Sequence, residues 1–271
     1  PIVWDCLHMT RTLPHMPRAY GGWTFAFKDY YELNITNQID SPEFMLLSQA
    51  VDPYHYLADK SRFLMPKLVI NAAGDEFLQN DNDRFWWEDM PVGQGKHRLM
   101  VQNAEHSEAT GIFEIIPAIG AWARGLLETG GEWPGFEWEM DRDSGDITFR
   151  NLDPERRPSS VVMWHAPSWP KGGKRDWRLL VADKKIHPVI WFDKELNETS
   201  SGSNEWIAHH QKPFVNWIAF FIEVKYPGPP RYYDPSKNTE YRFTTQVSIV
   251  PDNKWAHRGC YGKECASLPL V

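Results

Sequence analysis

Two short apolar runs, each followed by small residues and then by one ionisable side chain, constrain the fold of this chain most strongly. One run reads Pro66-Lys-Leu-Val-Ile-Asn-Ala-Ala-Gly and ends at Asp75. The other reads Leu99-Met-Val-Gln-Asn-Ala-Glu and ends at His106. Continuous apolar runs of this kind are typical of strands buried on both faces of a parallel sheet. The pattern therefore predicts that Asp75 and His106 follow the carboxyl ends of two successive strands.

An acid and then a histidine, each at a strand end, is the order in which an α/β-hydrolase presents the last two members of its catalytic triad. We therefore predict an α/β fold class: the C-terminal part of an α/β-hydrolase with a helical lid insertion, followed by a small antiparallel β-sandwich. In this interpretation His106 removes a proton from a serine, and Asp75 orients the imidazole. Three rival acids share the loop, namely Glu76, Asp81 and Asp83; Asp75 is preferred because it lies nearest the strand end.

The expected nucleophile has no position in this sequence. An α/β-hydrolase carries it on a Gly-x-Ser-x-Gly turn before the acid, and that pattern occurs nowhere in the 271 residues. The chain also begins at Pro1 and not at a methionine. We therefore expect a fragment whose nucleophilic serine lies upstream, and which alone has no hydrolase activity.

Residues 1–130 are predicted to be the hydrolase portion, with the lid at about 10–62. Aromatic residues recur at roughly helical spacing over 23–36, and Ser41-Pro42 places a helix N-cap before a proline at the first helical position. The alternative that these helices only cover the sheet stays open. We also predict a crossover helix from Asp83 and a final helix over 110–128, whose apolar stripe belongs to the core.

The character of the sequence changes near Gly130, which we take as the domain boundary. Residues 136–151 are predicted to form a hairpin turned at Asp143-Ser-Gly-Asp. Further short strands, separated by loops rich in Pro, Gly and Asn, are predicted over 159–164, 176–181, 189–192, 216–224 and 241–250. Repeated short strands without intervening helices indicate that residues 131–271 form the β-sandwich domain.

Composition excludes several classes of function. The net charge of −7 argues against nucleic acid as a partner, because phosphate binding needs a basic face. No apolar run approaches the ~20 residues of a transmembrane helix. The sequence contains no metal-binding or nucleotide-binding motif, so we expect neither a metal nor a cofactor.

Cysteine usage points to an oxidising compartment. Cys260 and Cys265 are close enough in sequence for a small disulfide loop, and disulfides persist in secreted proteins. A metal site with His257 is the alternative, but a fourth ligand is missing. Cys6 would remain unpaired as a small buried hydrophobe.

Two glycosylation acceptor patterns weakly support secretion. They are Asn34-Ile-Thr and Asn197-Glu-Thr. Either could arise by chance, and the first falls in a segment predicted to be helical.

Several motifs resemble the PhoPQ-activated pathogenicity-related family, which includes the autocrine proliferation repressor proteins. The resemblance rests on Tyr20-Gly-Gly-Trp-Thr-Phe-Ala-Phe-Lys-Asp-Tyr-Tyr, Val51-Asp-Pro-Tyr, the run from Pro66 through Asp-Glu-Phe77, Asn103-Ala-Glu-His-Ser, Phe243-Thr-Thr-Gln-Val and the Cys260-x4-Cys265 pair. It implies secreted proteins roughly twice as long, with an α/β-hydrolase domain and a C-terminal β domain. It also implies that Asp75 is the acid and His106 the base, while the family's serine has no matching position.

Two functions from different classes remain open at this point. One is a secreted serine hydrolase, acting as an esterase or peptidase on a small ester or peptide. The other is a secreted signalling protein on a catalytically unused hydrolase scaffold, with the β-sandwich contacting a cell-surface receptor. Fold alone does not decide between them. A Gly-x-Ser-x-Gly turn in the upstream coding sequence would favour the hydrolase, and a replaced serine would favour the scaffold.

Overall fold

The computed structural model describes residues 2, 7–57, 59, 63–169, 173–182 and 185–271. The helices are α1 Met9–Tyr20, α2 Lys28–Glu32, α3 Pro42–Val51, α4 Ile112–Thr129 and α5 Lys263–Ala266, with 3₁₀ turns at Phe25–Phe27, Pro53–Tyr56 and Asn82–Phe85. The strands are β1 Lys67–Ala72, β2 Lys96–Val101, β3 Phe136–Met140, β4 Ile147–Asn151, β5 Ser160–Pro167, β6 Leu180–Val181, β7 Lys185–Ile186, β8 Phe192–Glu195, β9 Glu205–Ala208, β10 Ile218–Pro230, β11 Asn238–Thr244 and β12 Ser248–Val250. Cys6, predicted to be an unpaired thiol, lies outside the described residues.

The two apolar runs form the parallel pair β1–β2. Their register joins Lys67 to Lys96 and Ala72 to Val101. Every residue of β1 is buried, as are the last five of β2, which explains why neither run alternates apolar with polar residues. At the start of the chain, Ile2 makes a parallel bridge to Ile70.

The predicted fold class is wrong, because the structure is mostly antiparallel β. In the described part of the chain, parallel pairing is confined to β1–β2 and to single bridges at Ile2–Ile70 and Trp23–Leu270. All other ladders are antiparallel, so the C-terminal part of an α/β-hydrolase with lid and sandwich is not what the chain forms. The physical reason lies in the connections. A parallel sheet needs a long crossover between each pair of strands, whereas hairpins such as β3–β4 and β10–β11 join antiparallel neighbours through short loops.

The predicted crossover helix from Asp83 is also wrong. Between β1 and β2 the chain has turns and the four-residue 3₁₀ helix Asn82–Phe85. Two neighbouring residues, Trp86 and Trp87, are both buried there. The side chain of Asp83 is buried as well, in an ion pair described below. Turns can bury these consecutive side chains, while an amphipathic surface helix would expose part of the set.

Strand β10 is the centre of the antiparallel region. It pairs with β5, β11 and β12, and β8 extends the same sheet beyond β5. A second antiparallel sheet has the order β3-β4-β9. Its first hairpin, β3–β4, is the one predicted over 136–151. The strand expected over 241–250 is divided between β11 and β12, which both pair with β10.

One hydrophobic core runs through all these layers. It contains Ile70 and Val101 from the parallel pair, Ile115 from α4, Phe149 from β4 and Ile222 from β10. The described core is therefore continuous across residue 130. The two-domain division and the role of residues 10–62 as a lid stay predictions.

Helix α4 differs from the predicted final helix in the face that it buries. Its inner face is made of Ile115 and small residues, and Gly125 is close to Tyr241: a Cβ on Gly125 would lie 2.5 Å from Tyr241 Oη. Ile116 and Leu127, which were expected in the core, are 63% and 83% exposed. Small residues on the inner face let the helix approach β10 and β11 closely, while Ile116 and Leu127 point outward.

The C-terminal tail and the first helices share a separate core around Trp23. Cys260 and Cys265 form a disulfide there, as the sequence predicts. The indole Nε1 of Trp23 donates to the carbonyl oxygen of Cys265 at 3.0 Å, and Val271 N donates to Trp23 O at 2.8 Å. The tail is therefore hydrogen-bonded to the segment that follows α1. Nearby, α3 begins at Pro42 with Ser41 accepting from Phe44 N, also as predicted.

A fully buried ion pair fixes the loop after β1 to β2. Arg98 Nη2 lies 2.8 Å from Asp83 Oδ2, and both side chains are 1% exposed. Arg98 also donates to the carbonyl oxygen of Thr245. Burial raises the pKa of Asp83, while the guanidinium of Arg98 opposes that shift. Such a pair contributes little net stability, but either charge left alone in the interior is costly.

Replacing one partner should therefore destabilise the protein strongly. We expect Asp83→Asn to lower the free energy of unfolding by about 3–5 kcal/mol, because Arg98 remains buried and unpaired. The double variant Arg98→Met/Asp83→Leu should lose less than the single one. Urea denaturation followed by tryptophan fluorescence measures both. The control Glu128→Gln breaks the exposed Arg124–Glu128 pair and should cost less than about 1 kcal/mol. A loss for Asp83→Asn as small as that of the control would contradict this account.

Candidate active site

The position of Asp75 is set by backbone hydrogen bonds that continue the parallel pairing of β1 and β2 beyond the end of β1. Ala73 N donates to Val101 O and Gly74 N donates to Ala104 O, both at 2.9 Å. Gly74 has no room for a side chain, since a Cβ there would lie 2.5 Å from Leu179 Cγ and 2.9 Å from the Ala104 carbonyl oxygen. The backbone that carries Asp75 is therefore held on both sides.

The carboxylate of Asp75 is buried and fully engaged. It is 5% exposed. Its Oδ1 accepts from the backbone N–H groups of Phe77 at 2.6 Å and Leu78 at 2.9 Å. Its oxygens also lie 3.1 Å and 2.9 Å from His106 Nδ1. Two backbone donors thus fix the orientation of the carboxylate that faces the histidine.

His106 is held at one nitrogen and open at the other. With Asp75 ionised, Nδ1 carries the proton and donates to it, which leaves Nε2 as the basic nitrogen. None of the residues that the structure describes hydrogen-bonds to Nε2. The side chain is 36% exposed, and its backbone N donates to Glu76 Oε2 at 3.0 Å. This arrangement can accept a proton from a group that approaches through solvent.

Three influences act on the pKa of His106, and the net direction is upward. The largest is the hydrogen bond to Asp75, which raises the pKa. Burial lowers it, and the negative charges of Asp75, Glu76 and Glu108 raise it. The environment therefore stabilises the protonated imidazolium that forms when the histidine acts as a base.

Two glutamates lie beside this pair: Glu76, which the sequence argument named as a rival acid, and Glu108, which it missed. Burial raises the pKa of Glu76, and burial together with the charge of Asp75 raises that of Glu108 to about 7. Glu108 is 3% exposed, has φ of +53°, and neither carboxylate oxygen has a hydrogen-bond partner among the described residues. In the sequence, the one feature that links Glu108 to the site is its position two residues after His106. The positive φ of Glu108 cannot be inferred from the residue type.

Two of the three rival acids serve other partners, while the third, Glu76, accepts from the backbone N–H of His106. Asp81 Oδ1 lies 2.9 Å from His15 Nε2, and Asp81 Oδ2 accepts from Arg175 Nη2 at 2.9 Å. Asp83 pairs with Arg98. The structure thus brings Asp75, and neither of these two, to the histidine. The role of Asp75 and His106 in catalysis stays a prediction.

The remaining predicted sites lie away from this pair. Asn34 and Asn197 are both exposed, and neither is in a helix or a strand. No cluster of three or more His, Cys, Asp or Glu in the described ranges could hold a metal ion. In the same ranges, no helix is long and apolar enough to cross a membrane.

The hydrogen bond between Asp75 and His106 predicts a titration change. In the native protein the pKa of His106 should lie above its ordinary ~6.5, and Asp75→Asn should lower it because the largest cause is removed. A raised pKa in the folded state means that protonation stabilises the fold; this contribution is complete below pH ~6.5 and is lost as the pH rises through the folded pKa. NMR titration of labelled imidazoles measures the shift. Asp146→Asn, which breaks the surface pair with His209, is the control and should leave His106 unchanged. Equal effects of the two variants would refute the assignment.

Comparison with known proteins identifies the family. The family model described as "PhoPQ-activated pathogenicity-related protein" matches residues 1–178. Autocrine proliferation repressor protein A of Dictyostelium discoideum is 32% identical over 261 residues, which is 93% of this chain and 51% of that protein. The chain thus spans about half the length of this curated relative. No solved structure matches the chain. The chain belongs to the PhoPQ-activated pathogenicity-related protein family.

Proposed function

We propose that the protein is a hydrolase of carboxylic esters or peptides in which His106 is the general base and Asp75 orients it. The observation that carries this proposal is the buried Asp75 carboxylate 2.9 Å from Nδ1 of a half-exposed His106. His106 Nε2 takes the proton of an attacking hydroxyl and later returns it to the leaving group. Asp75 holds the required tautomer and stabilises the imidazolium.

Two other histidine–carboxylate pairs in the described part of the chain show why this one is the candidate. The side chains of His15 and Asp81 are both buried, and His15 is packed against the rings of Phe85 and Trp255. His209 and Asp146 are on the surface, with side chains 58% and 30% exposed. A catalytic histidine must have a fixed orientation and must also be reachable by the substrate. A buried carboxylate fixes the orientation, and exposure of the histidine to solvent allows the substrate to reach it. Among these three pairs, Asp75 and His106 have that combination.

The nucleophile is proposed to come from residues outside this chain. The nearest candidate in sequence, Ser107, donates its hydroxyl to Glu105. Because the chain corresponds to about half of its relative, we assign the activity to the full-length protein and expect none from these 271 residues alone. A serine hydroxyl is a weak nucleophile until an adjacent general base such as histidine activates it.

We further propose that the protein is secreted. The Cys260–Cys265 disulfide supports an oxidising compartment. The exposed positions of Asn34 and Asn197 leave both acceptor sites accessible to glycosylation.

A second candidate is an extracellular signal that acts through a cell-surface receptor. The observation that favours it is the name of the relative, which describes an autocrine repressor of proliferation. One variant distinguishes the two candidate functions. If signalling is independent of chemistry, His106→Ala in the full-length protein keeps proliferation repression and loses hydrolysis.

The hydrolase proposal predicts large losses on changing either member of the pair. For the full-length protein, His106→Ala and Asp75→Asn should each reduce kcat/KM for p-nitrophenyl acetate by about 10³–10⁴-fold. Initial rates over a range of substrate concentrations measure this loss.

The controls are His209→Ala and Asp146→Asn, which remove the exposed pair and should stay within about twofold of the native rate. Retained turnover in His106→Ala would rule out this residue as the base. A loss in both the test and the control variants would point to unfolding.

A further inference from the structure

An apolar cavity lies one aromatic ring away from His106. It has a volume of about 320 Å³ and is bounded by α1, α2, α3 and the loop that follows Asp75. Phe77 forms part of its wall, and the same ring stacks on His106 with centroids 5.3 Å apart. Phe27 packs on Phe77 from within the cavity lining, at 4.8 Å. The histidine and the cavity therefore share one wall.

The chemistry of the lining selects an uncharged aliphatic ligand. Aliphatic and thioether side chains such as Leu13, Met16 and Leu47 provide much of the surface, and none of the lining residues is charged. Methionine and leucine adapt to a flexible chain. Leu47 and Val51 are 45% and 55% exposed, so the cavity reaches solvent along α3.

Size distinguishes an acyl chain from a peptide side chain. An apolar cavity of roughly 150 Å³ holds a benzene ring, which is about the size of a phenylalanine side chain. The cavity here is about twice as large. By the same ratio it holds an aliphatic chain of about ten to twelve carbons.

Charge at the histidine excludes a free fatty acid. Asp75 contacts His106 Nδ1, Glu76 accepts the His106 N–H, and Glu108 is buried two residues away with no hydrogen-bond partner among the described residues. A ligand carboxylate at this position would meet the carboxylates of Asp75 and Glu76 and a Glu108 side chain that is partly ionised near pH 7, and like charges in a partly buried site repel. A neutral carbonyl has no such penalty.

From this arrangement we propose that the cavity binds the medium-length aliphatic acyl chain of a neutral ester, with the ester carbonyl at His106. The assignment rests on the proposed hydrolase function and names its substrate class. Hydrolysis at this position releases an acid whose carboxylate the acidic groups repel, so the same charges favour release of the product.

The test measures binding separately from turnover. Methyl ketones with alkyl chains of four to twelve carbons are neutral and cannot be hydrolysed, so calorimetry with the native full-length protein gives their Kd. We expect the affinity to rise about threefold to fourfold per methylene up to about ten carbons and then to level off. Decanoate should bind at least tenfold more weakly than the ten-carbon ketone.

Two matched variants on α3 locate the site. Leu47 lines the cavity, whereas its neighbour Leu46 is 67% exposed and does not. Leu47→Trp should weaken binding of the ten-carbon ketone at least tenfold and leave the four-carbon ketone within twofold. Leu46→Trp should change neither. Affinity without chain-length dependence, equal effects of the two variants, or equal binding of decanoate would overturn the assignment.

The ester and ketone measurements distinguish a failure of the hydrolase proposal from a failure of the acyl-site proposal. Chain-length-dependent ketone binding without turnover of any p-nitrophenyl ester refutes the hydrolase function and supports the acyl site. Turnover of p-nitrophenyl acetate that His106→Ala abolishes, without chain-length-dependent binding, supports the hydrolase and overturns the acyl site.

Discussion

The parallel hydrogen bonding of β1 and β2 is the constraint on which the candidate site depends. The pairing continues past both strands, where Ala73 and Gly74 donate to Val101 and Ala104. The two chain segments are therefore still in register when they leave the sheet. That register, together with the absence of a side chain on Gly74, brings a buried carboxylate and an imidazole into contact across 31 residues of sequence. Positions fixed by backbone bonds are held more accurately than those on free loops.

Buried charges hold the loop between the two strands. Asp81 joins it to His15 of α1 and to Arg175, and Asp83 joins it to Arg98 of β2. Each interaction spans elements that are distant in sequence. In the interior, a charge that loses its partner is costly, so each of these contacts opposes movement of the loop. The loop that carries Asp75 and Phe77 is thus fixed at its far end as well as at the strand end.

Local features were predictable from the sequence, and long-range ones were not. Asp75 and His106 stand at the ends of apolar runs, the α3 start has its Ser41-Pro42 signal, and the β3–β4 hairpin has its turn residues; each depends on neighbours in sequence. The prediction of the fold class was wrong because the sequence of two strands does not reveal how the other strands pair. The prediction of the buried face of α4 was wrong because the small residues Ala118, Ala121 and Gly125 form much of the contact with the sheet. The prediction considered only the large apolar residues. Glu108 and the cavity depend on backbone angles and on contacts between α1, α3 and the loop, for which a single sequence carries no local signal.

The disulfide near the C-terminus has a consequence for laboratory practice. Cys260 and Cys265 belong to the same apolar cluster as Met16, Phe27 and Phe44, which also line the cavity beside the histidine. The carbonyl of Cys265 is at the same time the acceptor for the Trp23 indole. Reduction of this disulfide during purification would therefore change the packing behind the cavity wall. A preparation with the disulfide intact and one with it reduced would be different samples as far as this cavity is concerned.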